Sequence, residues 1–211
     1  MTDANTMYTL ENLGFSKTQV SEVLLTLNLG GEVNAAPMGV RLSKRGLPII
    51  RVYAGSRTYI MIKSGAKDYV LNVTSDPEVF YWAVLKKEYL RFKSSRRVTA
   101  PRIAGCQAYV ECVLESIKFG RNYLRAELRP VYIEYVKVKP KAYCRAQPAI
   151  IEALVYFTKL KYLLSVGDLS KAKELLENIK HCENVVRHCT TQRKLRKIAK
   201  EILVHAEELV R

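Results

Sequence analysis

Residues 19–133 are written mostly in short apolar runs of strand type, cut at intervals by turn residues, and that pattern leaves few folds open. Residues 20–27 read as a first strand. Asn28, Leu29, Gly30 and Gly31 follow as a turn that needs positive φ, and a second strand begins near Val33, so the two form a hairpin. Residues 48–53 read as a third strand that stops at the Ala54-Gly55-Ser56 corner, where residues 58–63 begin a short helix. Residues 67–73 are almost continuously apolar, as expected of a strand covered on both faces. Asp76 and Pro77 are an N-cap and a first helical residue, which predicts a helix over residues 79–89. Two longer strands, 108–117 and 123–138, flank a turn at residues 118–122. The natural architecture is a closed or partly closed β-barrel of about six strands.

The composition changes at Pro140, which divides the chain into a barrel domain, residues 1–140, and a helical appendage, residues 141–211. Gln147-Pro148 introduces a helix over residues 149–166, the Gly167-Asp168-Leu169-Ser170 stretch breaks it, and a second helix runs over residues 171–188. Thr190-Thr191 opens a third, on which Leu195, Ile198, Ile202, Val204 and Leu209 recur at helical spacing and predict a buried face.

With 211 residues, 48% of them hydrophobic, the chain can bury a sizeable core. Its apolar runs are too short or too interrupted to span a bilayer. The first residues include Asp3 and Glu11 and lack a basic start followed by an apolar stretch, so the expectation is a cytoplasmic protein. Cys106, Cys112, Cys144, Cys182 and Cys189 form no CxxC pair, and an odd count fits reduced thiols. His181-Cys182 and His188-Cys189 stand seven residues apart on one predicted helix, a spacing that suits helix packing better than the closer ligand spacing of structural zinc, and no metal is expected.

The formal net charge of +15 calls for an anionic partner or for well-solvated faces. Residues 86–102 carry Lys86, Lys87, Arg91, Lys93, Arg96, Arg97 and Arg102 against the single acid Glu88, and residues 187–200 are equally basic. No recognition-helix motif or aromatic platform is visible in the pattern, so solvated faces and attraction for a phosphorylated ligand are favoured over nucleic acid.

Three segments combine into a site for a flat, anionic ligand. Gly55-Ser56-Arg57-Thr58 offers two hydroxyls, a guanidinium and a permissive glycine at a strand end, a donor set for phosphate. Asn34-Ala35-Ala36-Pro37-Met38-Gly39 offers an amide, small residues, a rigid proline and an adaptable thioether, which suits a strand edge laid along a heterocycle. Asn72 and Val73 add a polar group inside an apolar strand. Each piece alone is more often just a turn or a satisfied buried amide than a ligand contact. Together they meet the three demands of flavin mononucleotide (FMN), namely donors for a dianionic phosphate, close backbone approach to the ring edge and an apolar wall, and Tyr53, at the end of the third strand, is among the cofactor-binding candidates.

The order of these segments resembles that of the FMN-binding split-barrel superfamily of flavin reductases and pyridoxamine-phosphate-oxidase-like proteins. The pattern is more closely similar to the family known as DUF447, through Glu22-Val23, residues 34–40, residues 55–59, residues 72–77, residues 108–112, Arg145-Ala146 and residues 151–155. The resemblance covers residues 20–160, and the rest matches only as a helical tail. It implies a split-barrel homodimer with FMN at the subunit interface, phosphate held by Ser56, Arg57 and Thr58, the ring along residues 34–39, and Asn72 with Val73 beneath. Arg145, just ahead of a helix start, is a further phosphate candidate, with a capping or surface role as its alternative.

The leading expectation is therefore a flavin-dependent oxidoreductase with a small-molecule redox substrate. Its three histidines all lie in the helical tail, so no Ser-His-Asp or Cys-His arrangement competes. No GxGxxG fingerprint follows a strand, so NAD(P)H would have to be met without a dinucleotide-binding domain of its own. A flavin carrier or sensor and a basic nucleic-acid-binding barrel are the alternatives. Reduction by NAD(P)H separates the first two, and a colourless protein whose nucleic-acid binding falls with salt marks the third.

Overall fold

A tight hairpin begins the barrel. β1 (Ser21–Leu29) turns back into β2 (Glu32–Leu42) through Gly30 and Gly31, whose φ values of 60° and 90° lie where a side chain would be strained. The Asn28 side-chain oxygen accepts the Gly31 N–H at 3.1 Å and tightens the turn. β3 (Pro48–Tyr53) and α1 (Arg57–Lys63) follow, then β4 (Asp68–Val73). Two longer strands, β7 (Ala108–Phe119) and β8 (Tyr123–Tyr135), complete the sheet. The six close into a barrel, as the strand pattern predicts, in the order β1-β2-β3-β8-β7-β4. The computed structural model describes residues 9–18, 20–135 and 145–210. Val138, Pro140 and Cys144, which the sequence singles out, lie outside them.

Every pairing in the barrel is antiparallel, so its interior is set by the two-residue period of each strand. Ala36, Leu25, Leu71, Val110 and Ile133 stand in one register row across five strands. Leu25, Leu71 and Val110 are completely buried in the core with Val23, Leu27 and Leu124. Each such side chain contributes about 1.5–3 kcal/mol through removal from water. The four central residues of β4 are all buried, in keeping with its unbroken apolar character.

A small antiparallel ribbon, β5 (Phe92–Lys93) with β6 (Arg102–Ile103), lies outside the barrel sheet. Its strands are two residues long and carry no periodic signal. It is tied to the barrel by the Ile103 N–H, which donates to Asn72 Oδ1 at 2.7 Å, and by Thr26 Oγ1, which donates to the Pro101 carbonyl at 2.5 Å.

Residues 1–74 and 89–138 form one compact unit, residues 75–88 and 139–211 a second. The second unit contains α2 (Pro77–Leu85), α3 (Ala146–Ser165), α4 (Leu169–Cys189) and α5 (Arg193–Val210). Asp76 caps α2 by accepting the Glu78 N–H at 2.9 Å, with Pro77 in the first turn. The helix ends at Leu85, short of the expected residue 89: Lys86 adopts φ −142° and ψ 56°, and a 3-10 turn (Lys87–Tyr89) follows. Gly167 takes φ 78° between α3 and α4, and Asp168 caps α4. On α5, Ile198, Ile202 and Ala206 form the buried stripe. Val204 and Leu209 are 41% and 42% exposed, against expectation, because Val204 falls between turns of that stripe and Leu209 lies beyond its last member. The Tyr81 hydroxyl donates to Glu201, and Lys194 pairs with Glu78 at 2.5 Å, joining α2 to α5. Among the described residues no helix is long and apolar enough to cross a membrane.

Candidate functional site

β2 has an open edge. Residues 32–40 pair with β1 along their whole length, but β3 meets β2 only at Val40, Arg41 and Leu42. Among the described residues, the other side of residues 33–39 has no strand partner. Antiparallel pairing directs alternate N–H and C=O groups outward, so this edge offers a row of backbone donors and acceptors. Pro37 is tolerated there because an unpaired edge does not need its missing N–H.

Strand alternation splits the ring candidates between two faces. Asn34, Ala36 and Met38 share the barrel's inner face, with Asn34 5% and Met38 8% exposed. Ala35, Pro37 and Gly39 are on the outer face. A Cβ added to Gly39 would come within 2.8 Å of a Val20 methyl, so a side chain there would have to displace Val20.

The phosphate candidates meet this edge at one end of the barrel. Ser56 is the N-cap of α1: its hydroxyl accepts the Tyr59 N–H at 3.1 Å and donates to the Tyr53 carbonyl at 2.9 Å. Gly55 precedes it at φ 84°, the conformation that brings the chain from β3 into the helix. Thr58, 3% exposed, accepts from Asn34 Nδ2 at 3.0 Å. A hydroxyl that accepts one bond still has its proton to donate. This contact joins two of the three segments that the sequence brings forward.

Arg57 pairs with Glu32 on the surface, a partner the sequence reading passed over. Their bond holds the Glu32 carboxyl below its ordinary range and raises the Arg57 guanidinium. Both side chains are about half exposed, so solvent screens the pair and an incoming anion can take Glu32's place. Tyr53, Val33 and Ile60, at 47%, 37% and 47% exposure, flank this corner along the chain.

Asn72 serves the frame of the barrel. It is completely buried, its amide nitrogen lies within hydrogen-bond reach of the Leu24 carbonyl at 2.9 Å, Thr26 Oγ1 at 3.1 Å and the Val70 carbonyl at 3.2 Å, and its oxygen accepts from Ile103. In register it stands two strands from Pro37, with Leu24 between them, on the face opposite Asn34. Val73, half-buried, ends the same strand. Arg145 belongs to the second unit, where it is exposed and occupies the N-cap position of α3 without a side-chain capping bond.

The structure corrects one reading of charge. Arg102, counted among the solvated basic residues, is 3% exposed. Its Nε donates to Glu111, itself completely buried, at 2.7 Å, and its Nη1 to Glu134 at 3.0 Å. The guanidinium lies 4.9 Å and 5.3 Å from the Tyr109 and Tyr132 ring centres. The Arg102 bond keeps the Glu134 carboxyl below its usual range. In the tail, burial pushes the Cys182 thiol up to about 11, and His188 Nδ1 lies 2.8 Å from the Asn184 carbonyl on its own helix. Among the described residues no group of three or more His, Cys, Asp or Glu side chains is placed to hold a metal.

The sequence matches two family models. One, described as "Protein of unknown function (DUF447) N-terminal domain", covers residues 21–137, and the other, "Protein of unknown function (DUF447)", covers residues 144–205. The chain belongs to the DUF447 family. Among solved structures, this DUF447 chain is similar to the FMN-bound protein MM1853 from Methanosarcina mazei, at a TM-score of 0.74 and 22% identity over 93% of this chain and 99% of that one. It is also similar to the flavin reductase HpaC complexed with NADP+, at a TM-score of 0.50 and 15% identity over 63% of this chain and 89% of that one. At these identities the likeness is one of fold: a split-barrel like those of flavin reductases, followed in this DUF447 chain by C-terminal helices. A search of curated proteins returned no match.

Proposed function

We propose that this DUF447 protein binds FMN along the open edge of β2 and acts as a flavin-dependent oxidoreductase. The observation that carries the reading is the Asn34–Thr58 hydrogen bond, which holds an unpaired strand edge of small residues against a corner rich in phosphate donors. The donor set fits the group. Arg57 supplies a guanidinium, Thr58 a hydroxyl proton, and the first-turn N–H groups of Arg57 and Thr58 have no acceptor within the helix. No acid stands in that turn to repel a dianion.

The residues divide the work. Arg57 and Thr58 hold the phosphate, with Gly55 allowing the backbone's close approach, while Ser56, whose hydroxyl proton is taken by the Tyr53 carbonyl, caps the helix and presents its first turn. The backbone of residues 34–39 meets the edge of the ring, where Ala35, Ala36 and Gly39 leave room for it and Pro37 keeps the strand straight. Tyr53 borders the phosphate corner, and Asn72 with Val73 keeps the neighbouring strands in place. Bound FMN supplies the redox chemistry, and the protein's part is orientation and shielding. MM1853 being FMN-bound and HpaC being complexed with NADP+ support this assignment and NAD(P)H as the reductant of a small-molecule substrate.

The exposed side chains of Val33, Tyr53 and Ile60 beside the site support a homodimer that covers them. Anaerobic addition of NADH or NADPH to the FMN-loaded protein tests the activity. Bleaching of the flavin absorbance, and its recovery on adding an electron acceptor, is the expected result. A flavin that stays oxidised in the presence of both reductants would contradict turnover with NAD(P)H and leave a carrier.

A further inference from the structure

β3, β8 and β7 lie side by side in the barrel, and their register brings three cations into one row. Arg51 on β3 pairs with Arg125 on β8, and Arg125 pairs in turn with Lys118 on β7. Residues paired directly across a sheet point to the same side, and here that side is the outer one. All three are exposed, whereas their chain neighbours Ile50, Val52, Leu124 and Ala126 are buried in the core and Ile117 packs against it. At about 4.8 Å between strands, the three positions span about 10 Å.

Like charges set directly opposite one another destabilise a sheet. An acid among them would remove the conflict, but among the described residues none of the three has an ion-pair partner. The acids nearest in register stand apart from the row. Glu127 lies one row further along β8, where Arg45 reaches it at 3.4 Å, and Glu22 lies two strands from Arg51, opposite Gly39. Arg51 lies over the Tyr123 ring, 4.6 Å from its centre, a contact that orients the guanidinium and leaves its charge in place.

The row adjoins the open edge of β2. The last pair between β2 and β3 is Val40 with Ile50, and Arg51 is the next residue of β3, so the row begins where the two strands part. Gly39, the corresponding residue of β2, has no side chain to stand in the way. Asn34, which meets the phosphate corner through Thr58, lies towards the other end of that edge. The cations are thus placed for a second ligand that approaches the edge from the end away from the FMN phosphate.

We propose that the row of Arg51, Arg125 and Lys118 holds phosphates of the reductant, and that the protein takes NADPH in preference to NADH. The proposal rests on the flavin reading and names the reductant which that reading leaves open. NADPH carries a phosphate on its adenosine ribose in addition to the pyrophosphate it shares with NADH. Two guanidiniums and an ammonium in line match that surplus charge, and the planar fork of arginine grips a phosphate through two parallel bonds.

Calorimetric titration of 2′,5′-ADP, which carries the ribose phosphate of NADPH without its nicotinamide, into the full-length protein is the test, beside AMP and inorganic pyrophosphate. 2′,5′-ADP should bind more than about tenfold more tightly than AMP, and Arg51→Ala with Arg125→Ala should remove that advantage. In anaerobic flavin reduction the same double variant should raise the KM for NADPH by more than about tenfold, with the KM for NADH changed far less. Equal binding of 2′,5′-ADP and AMP overturns the proposal, as does a double variant that binds 2′,5′-ADP like wild type. Pyrophosphate that binds as tightly as 2′,5′-ADP also overturns it, since that describes an unspecific anion surface. FMN affinity should be the same in wild type and double variant, and its loss in the variant would assign the row to the flavin site instead. The nucleotide titration is run with and without FMN, so a wild type that takes no FMN marks failure of the flavin reading, and one that takes FMN but no 2′,5′-ADP marks failure of this proposal.

Discussion

Asn72 and Thr58 show how two buried polar side chains can look alike in a sequence and differ in purpose. Asn72 has its amide surrounded by barrel acceptors and its oxygen bonded to the ribbon, whereas Thr58 accepts one bond and keeps a proton to give. Asn72→Ala strands several buried partners and should cost about 2–4 kcal/mol in urea unfolding, with FMN affinity of the folded protein little changed. Normal stability combined with lost FMN affinity would reverse that assignment. Charged side chains give a pH prediction. Arg102 holds the Glu134 carboxyl below its unfolded value, and Arg45 does the same for Glu115. A depressed carboxylate stabilises the fold above its unfolded pKa, and the contribution is lost as pH falls through the lower, folded value. The melting temperature should therefore hold between about pH 8 and pH 5 and fall below about pH 4. A melting temperature that rises on acidification would show that these pairs do not matter.

At the scale of elements, the parts legible in the sequence are those governed by local rules. The Gly30-Gly31 turn, the Pro48–Tyr53 strand and the Asp76-Pro77 helix start are written in residues whose φ preferences or capping bonds act within a few positions. Gly31→Ala should accordingly cost about 1–2 kcal/mol, because at φ 90° the strain lies in the backbone and no neighbour lies within 4 Å of the added Cβ, and thermal unfolding reads it directly. The open edge of β2 was not legible. It depends on where β3 rejoins β2, and that is set by the length of the connecting turn. Pro37 within a strand was the one hint. The β5–β6 ribbon was hidden because two-residue strands have no period. The burial of Arg102 is not visible in a charge count, which does not name partners. A signal existed in Glu111, a carboxylate set between Val110 and Cys112 in an apolar run, which is tolerable only with a buried cation or several donors.

The whole molecule presents a DUF447 barrel unit and a helical unit with a large positive charge, which suits phosphorylated ligands without naming them. Two predictions belong to this scale. Light scattering should give twice the chain mass, and Ile60→Glu, which puts a charge into an exposed apolar position beside the site, should yield monomer with weakened FMN retention. A wild type that runs as a monomer while retaining FMN would contradict the dimer. The most direct test of the account is a titration of FMN, followed by flavin fluorescence, into wild type and into the Arg57→Ala, Thr58→Ala double variant side by side. The removed bonds are charge-assisted and worth about 1.5–3 kcal/mol each, so the account predicts tight binding by wild type and affinity lower by more than about tenfold in the variant. Equal affinity in the two proteins, or no binding by wild type, would contradict it.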